Sequence, residues 1–110
     1  MNVAIIGTYG HPLPLADFKR ILPKGRGTKL IIGTEDLVDL EIWAYADEHR
    51  LNYLRIVPKG TVIENIRNII QDAEKVLIFW DGESEKTAAA IKECMAMKKD
   101  FTVYTTFKKF

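Results

Sequence analysis

Hydrophobic and polar positions alternate in blocks along this chain. Five apolar runs, rich in β-branched and aromatic residues, read as strands: VAII (3–6), KLIIG (29–33), YLRIV (53–57), KVLIFW (75–80) and FTVYTTF (101–107). The first, second and fourth barely alternate with polar residues. Such runs are buried on both faces, as in a parallel sheet covered by helices.

Helical periodicity fills the gaps. Val62, Ile63, Ile66, Ile69 and Ile70 recur at helical spacing, with Thr61 and Glu64 in a capping-box pattern at the start. Residues 37–50 carry Leu37, Leu40, Trp43, Ala44 and Leu51 near one face, and residues 85–98 put Ala88, Ile91, Cys94 and Met95 on one stripe. Leu15, Phe18 and Leu22 suit a short helix over 13–22, confined by Pro12, Pro14 and Pro23, and PKGRG (23–27) is a turn-rich loop. The sum is β-α-β-α-β-α-β-α-β. It predicts a three-layer α/β/α sandwich on a five-stranded, parallel, doubly wound sheet. Right-handed crossovers leave few topologies, of which strand order 3-2-1-4-5 is the expected one.

That order fixes where chemistry belongs. Ligands of such sheets bind beyond the carboxyl ends of the strands, where strand order reverses. Here the reversal falls between strands 1 and 4. The loops after strands 1, 2 and 4 read GTYGHP (7–12), GTEDLVD (33–39) and DGESEKT (81–87). All are dense in Gly, hydroxyl and acidic residues. Gly7 lets backbone approach a ligand closely. Amides at a helix start favour an anion such as phosphate, with Ser84 and Thr87 as hydroxyl donors. Asp81, Asp39 and Glu35 are acceptors suited to ribose hydroxyls or an exocyclic amine. Tyr9 is placed to stack on a base, and His11 to titrate near neutral pH. Trp80, directly before its loop, is a candidate flank of the crevice.

Structural roles compete at the same positions. Ser84 is a good helix N-cap and Asp81-Gly82 a common turn dipeptide. Asp36 equally caps the second helix, with Asp39 favouring its dipole. His11 precedes Pro12 and suits a loop. His49 lies in DEHR near a helix end and Cys94 on an apolar stripe, so a solvated and a core role respectively account for them. Trp43 is expected in the core or at an oligomer contact.

Composition narrows the classes. The chain has 110 residues, 47% of them hydrophobic, with 16 Lys+Arg against 15 Asp+Glu. This suits one compact domain over 1–110 and argues against a large basic surface for duplex nucleic acid. A single cysteine cannot form an internal disulfide, and metal-ligand spacing is absent. MNVAIIG has no basic region or long apolar core of a signal peptide, and no run approaches the roughly 20 residues of a membrane span. The expectation is a soluble cytoplasmic protein with no metal and no cofactor. The dinucleotide G-x-G-x-x-G and phosphate-loop G-x-x-x-x-G-K-[ST] patterns are also missing. Strands 3 and 5 are the expected edges. FTVYTTFKKF, guarded by Lys108 and Lys109, fits either edge protection or a homo-oligomer contact.

The segments VAIIGTYG, KLIIGTEDLVDLEIWAYADEH and KVLIFWDGESEKTAAAIKECM together resemble the SLOG superfamily of Rossmann-like domains, nearest its small YspA/YpsA-related branch. The LOG phosphoribohydrolases and the DNA-processing protein A fold are more distant relatives. The resemblance spans roughly residues 2–106. The family's first loop typically reads Gly-Ser-Arg; here Gly7 matches, Thr8 keeps the hydroxyl, and Tyr9 replaces the Arg. Its second loop reads Gly-Gly-Ala-x-Gly-x-Asp; Gly33 and Asp39 match, while Thr34 and Leu37 stand in for glycines. Its fourth-strand segment reads Trp-Asp-Gly-x-Ser-x-Gly-Thr; Trp80, Asp81, Gly82, Ser84 and Thr87 match, but Lys86 replaces the last Gly. The resemblance implies binding or sensing of a nucleotide or nucleotide-derived molecule. Leu37 and Lys86 deny a phosphate the close approach that glycine gives, and Lys86 offers an anion a positive charge. The Pro-Gly-Gly-x-Gly-Thr-x-x-Glu motif of the catalytic branch is missing. The alternatives are an N-glycosidic bond hydrolase or transferase on nucleoside phosphates, using Asp81, Asp39 or Glu35, and an interaction protein whose site has decayed.

Overall fold

The computed structural model describes residues 1–8, 22, 27–34, 36–80 and 82–105. The expected helix over 13–22 lies outside them except for Leu22, as do Tyr9, His11, Glu35, Asp81, Lys108 and Lys109. Five strands, β1 (Asn2–Thr8), β2 (Lys29–Ile32), β3 (Asn52–Arg55), β4 (Lys75–Trp80) and β5 (Asp100–Thr105), form one sheet. Every pairing is parallel and the order is β3-β2-β1-β4-β5. Three helices are described: α1 (Leu37–Glu48), α2 (Val62–Ile70) and α3 (Glu85–Ala96). None of the described helices is long and apolar enough to cross a membrane.

Alternation along the strands builds two cores. Val3, Ile5, Leu30, Ile32, Leu77 and Phe79 face one side, where Val38, Ile42, Tyr45 and Ala46 of α1 cover them together with Leu22. Ala4, Ile6, Ile31, Val76 and Ile78 face the other, under Ile66, Ile69 and Ile70 of α2 and Ala90 and Cys94 of α3. Right-handed crossovers require this division. Steps from β1 to β2 to β3 run one way across the sheet, and steps from β3 to β4 to β5 run the other, so their helices land on opposite faces. The runs expected to be buried on both faces are so: Val3 to Ile5, Ile32 and Val76 to Phe79 are at most 2% exposed. The edge strand β3 alternates exposed and half-buried positions.

Two helices turn differently from expectation. In α1 the buried stripe is Val38, Ile42, Tyr45 and Ala46, while Leu40 is 45% and Trp43 36% exposed. The i, i+4, i+7, i+8 series starting at Val38 is the better match to one helix face. Trp43 therefore lies outside the core: its Nε1 donates to the Tyr53 hydroxyl at 2.9 Å, and the Arg55 guanidinium sits 4.2 Å above its ring. In α3 the buried residues are Thr87, Ala90 and Cys94, and Met95 is 64% exposed. Val62, at the open end of the α2 stripe, is likewise 54% exposed.

Candidate functional site

The predicted reversal of strand order exists. β1 lies between β2 and β4, with Gly7 beside Phe79 and Thr8 beside Trp80 at its carboxyl end. The connection after β2 enters α1, and the connection after β4 enters α3.

Gly7 is demanded by packing. A Cβ there would stand 2.9 Å from the Phe79 Cβ, 3.0 Å from the Phe79 carbonyl oxygen and 3.1 Å from a Val38 methyl. Any side chain would push the end of β1 off both its neighbours. Gly33 is similarly filled: a Cβ would come 2.8 Å from Asp39 Oδ2. Asp39 itself is 5% exposed, and that same oxygen accepts the Asp36 N–H at 3.1 Å. This is the returning arm of a capping box at the start of α1.

The β4–α3 turn is built from its own residues. Gly82 has φ 87°, which a side chain resists. Ser84 Oγ accepts the Thr87 N–H at 3.4 Å as the N-cap of α3. Trp80 Nε1 donates to the Ser84 carbonyl at 3.1 Å while its ring packs on the core beneath α3. Thr87 is fully buried. The sequence signal for a ligand at Gly82, Ser84 and Thr87 is thus also the signal for turn, cap and helix packing.

Lys86 reaches out of this turn. Its Nζ lies 2.8 Å from Asp36 Oδ2, with the two side chains 24% and 26% exposed. Asp36 caps the helix on one face of the sheet and Lys86 begins the helix on the other. Their ion pair therefore passes over the carboxyl end of β1, the strand at which order reverses. Beneath it is a recess of about 10 Å³, lined by Gly7, Gly33, Thr34, Asp36, Asp39, Asn65 and Lys86, with Ile6, Ile66 and Ile69 on its apolar side. This is room for about one water, far from the roughly 300–1,000 Å³ of a pocket that encloses a small molecule. A second cavity of about 60 Å³ is lined by Pro58, Gly60, Thr61, Val62 and, again, Asn65 and Lys86. A wider, open groove of about 590 Å³ runs along β3 and α2 past Arg55, Lys59, Asn68, Gln71 and Asp72, and shares no residue with the recess.

Of the residues singled out in the sequence, the recess gathers Gly7, Gly33, Thr34, Asp39 and Lys86. Gly82, Ser84 and Thr87 do not line it. Thr8 ends β1, and Tyr9, Glu35 and Asp81 fall outside the described residues.

The residue that sequence reasoning missed is Asn65. It sits in the first turn of α2, 5% exposed, and its Oδ1 has no hydrogen-bond donor among the described residues. The signal was present: an Asn beside Ile66, one turn before Ile69, falls on the apolar stripe. A buried amide oxygen without a donor costs about 1–3 kcal/mol, so its retention calls for a reason.

Cys94 is fully buried, and burial pushes its thiol up from 9.0 to about 11, with the Lys99 charge opposing and Glu93 assisting. A thiol held protonated among apolar groups is no nucleophile at neutral pH. Among the described residues no three His, Cys, Asp or Glu side chains gather as a metal site. No protein-family model, curated protein or solved structure matches the chain.

Proposed function

We propose that this protein binds or senses a nucleotide-like small molecule at the carboxyl edge of its sheet, in the manner that its resemblance to the SLOG domains implies. The observation that supports the reading best is the Lys86–Asp36 ion pair straddling the strand reversal, above a recess that Asn65 helps to line. Charged and polar groups converge where this kind of sheet receives ligands. The recess is one anchoring point for the ligand. A hydrolase reading draws less support. Asp39 is buried and accepts a backbone N–H, which suits a cap better than a group attacking an anomeric carbon.

A thermal-shift and calorimetric screen of mono-, di- and cyclic nucleotides, ADP-ribose derivatives and NAD tests this. Saturable binding by one class is the expected outcome. Its absence across the panel would favour the second reading, a ligand-free interaction protein, for which the 10 Å³ volume of the recess is the supporting observation.

A further inference from the structure

Arg55 is the last residue of β3, and its charge has no counter-charge among the described residues. Its guanidinium lies 4.2 Å above the Trp43 ring, and Trp43 is held in turn by the Tyr53 hydroxyl at 2.9 Å. The Nε atom is sealed from water and meets no acceptor. Burying a charged donor without a partner is costly. Stacking on an aromatic face offsets part of that cost and fixes the plane of the guanidinium. The group is thus oriented, yet the described chain supplies no acceptor for it. The groove that Arg55 borders has the room for one. At about 590 Å³ it falls within the roughly 300–1,000 Å³ of small-molecule pockets, unlike the recess at the strand reversal. Arg55, Ile56, Val57 and Lys59 form one wall, and Asn68, Gln71 and Asp72 the other. Lys59 is exposed and also lacks an ion-pair partner among the described residues. Two cations therefore stand against one carboxylate. The carbonyl end of α2 adds little repulsion, because Lys99 Nζ donates to the Gln71 and Ala73 carbonyls at 2.8 and 2.9 Å.

We propose that this groove is a second ligand site, which takes the oxyanion of a small molecule, a carboxylate or a phosphate, on the Arg55 guanidinium. The terminal nitrogens of Arg55 donate in parallel to two oxygens of the anion, while Nε stays against Trp43. Lys59 adds a second positive charge on the same wall. Asn68 and Gln71 offer amides to the rest of the ligand, and Asp72 favours a far end that carries N–H or O–H donors. The site stands apart from the strand reversal, since the groove shares no residue with the recess there, and it does not rest on the nucleotide reading.

The test titrates the full chain with sodium phosphate and with sodium acetate, followed by amide NMR, with sodium chloride at matched ionic strength as the control. Saturable shifts are expected at residues 55–59 and 68–72 with phosphate or acetate, and not with chloride. Whichever anion binds more tightly names the ligand's group. Arg55→Lys keeps the charge but removes the planar fork, and should weaken binding about tenfold. Lys59→Gln, at an exposed position, should weaken it about threefold. Arg55→Gln repeats the comparison should Arg55→Lys fail to fold. Shifts that chloride reproduces, no saturable shifts in the groove, or undiminished binding by the Arg55 variants overturns the proposal. Phosphate or acetate binding in the groove, with no nucleotide bound at the reversal, would sustain this inference while removing the nucleotide reading. Nucleotide shifts at residues 33–39 with no anion response in the groove would do the reverse.

Discussion

The connections after β4 and after β2 looked alike as sequences, yet the fold uses them differently. In the β4–α3 turn, Gly82 turns the chain, Ser84 Oγ accepts the Thr87 N–H and Trp80 donates to the Ser84 carbonyl within a few residues, and Lys86 reaches across to Asp36. In the β2–α1 connection, Asp39 closes a local cap but Asp36 reaches 50 positions along the chain to Lys86. Local closure marks a structural element. The long-range pair spans the strand reversal, where the proposed ligand would have to compete with it.

That contrast makes graded predictions. The largest effect belongs to neither connection but to the strand between them. Gly7→Ala should lose about 1–3 kcal/mol of stability in urea denaturation, because the added methyl meets Phe79 and Val38. A loss of ligand affinity with unchanged stability would contradict the packing role. Ser84→Ala should follow, at about 1 kcal/mol, with ligand affinity unaltered. An affinity loss there would restore the β4–α3 turn as a contact surface. Asp36→Asn should cost only about 0.5–1 kcal/mol in stability from the pair itself, since both side chains keep some solvent, yet it should weaken ligand binding more than Ser84→Ala does.

Cys94 sets the lower end of the scale. Its thiol holds its proton more tightly folded than unfolded, so its contribution is complete below about pH 9 and is lost as pH rises toward about 11. A stability profile over that range should fall with pH, and Cys94→Ala should flatten the fall. At neutral pH the thiol should react with iodoacetamide only as fast as the chain opens. Rapid native-state labelling would contradict its burial.

The fold was legible because β-branched runs and helical stripes are local signals, and because crossover handedness turns their order into a topology. The face of α1 was not. Leu40 and Trp43 are large apolar side chains beside Val38 and Ile42, so two overlapping stripes compete until the sheet beneath buries one of them. Gly7, Gly33 and Lys86 were legible as unusual residues at the right strand ends. Their roles were not, since the atoms that define them belong to Phe79, Asp39 and Asp36. Asn65 was readable as a polar residue on an apolar stripe, though not as a neighbour of Lys86.

Under the proposed function, ligand-facing chemistry lies on the β2–α1 side of the reversal. A nitrogen-15 amide spectrum of the full chain, recorded during titration with AMP, tests this most directly. The largest shifts are predicted at residues 33–39, at Asn65 and Ile66, and at Lys86. Shifts confined to Arg55, Lys59 and the outer groove, or no shifts at saturating nucleotide, would contradict it.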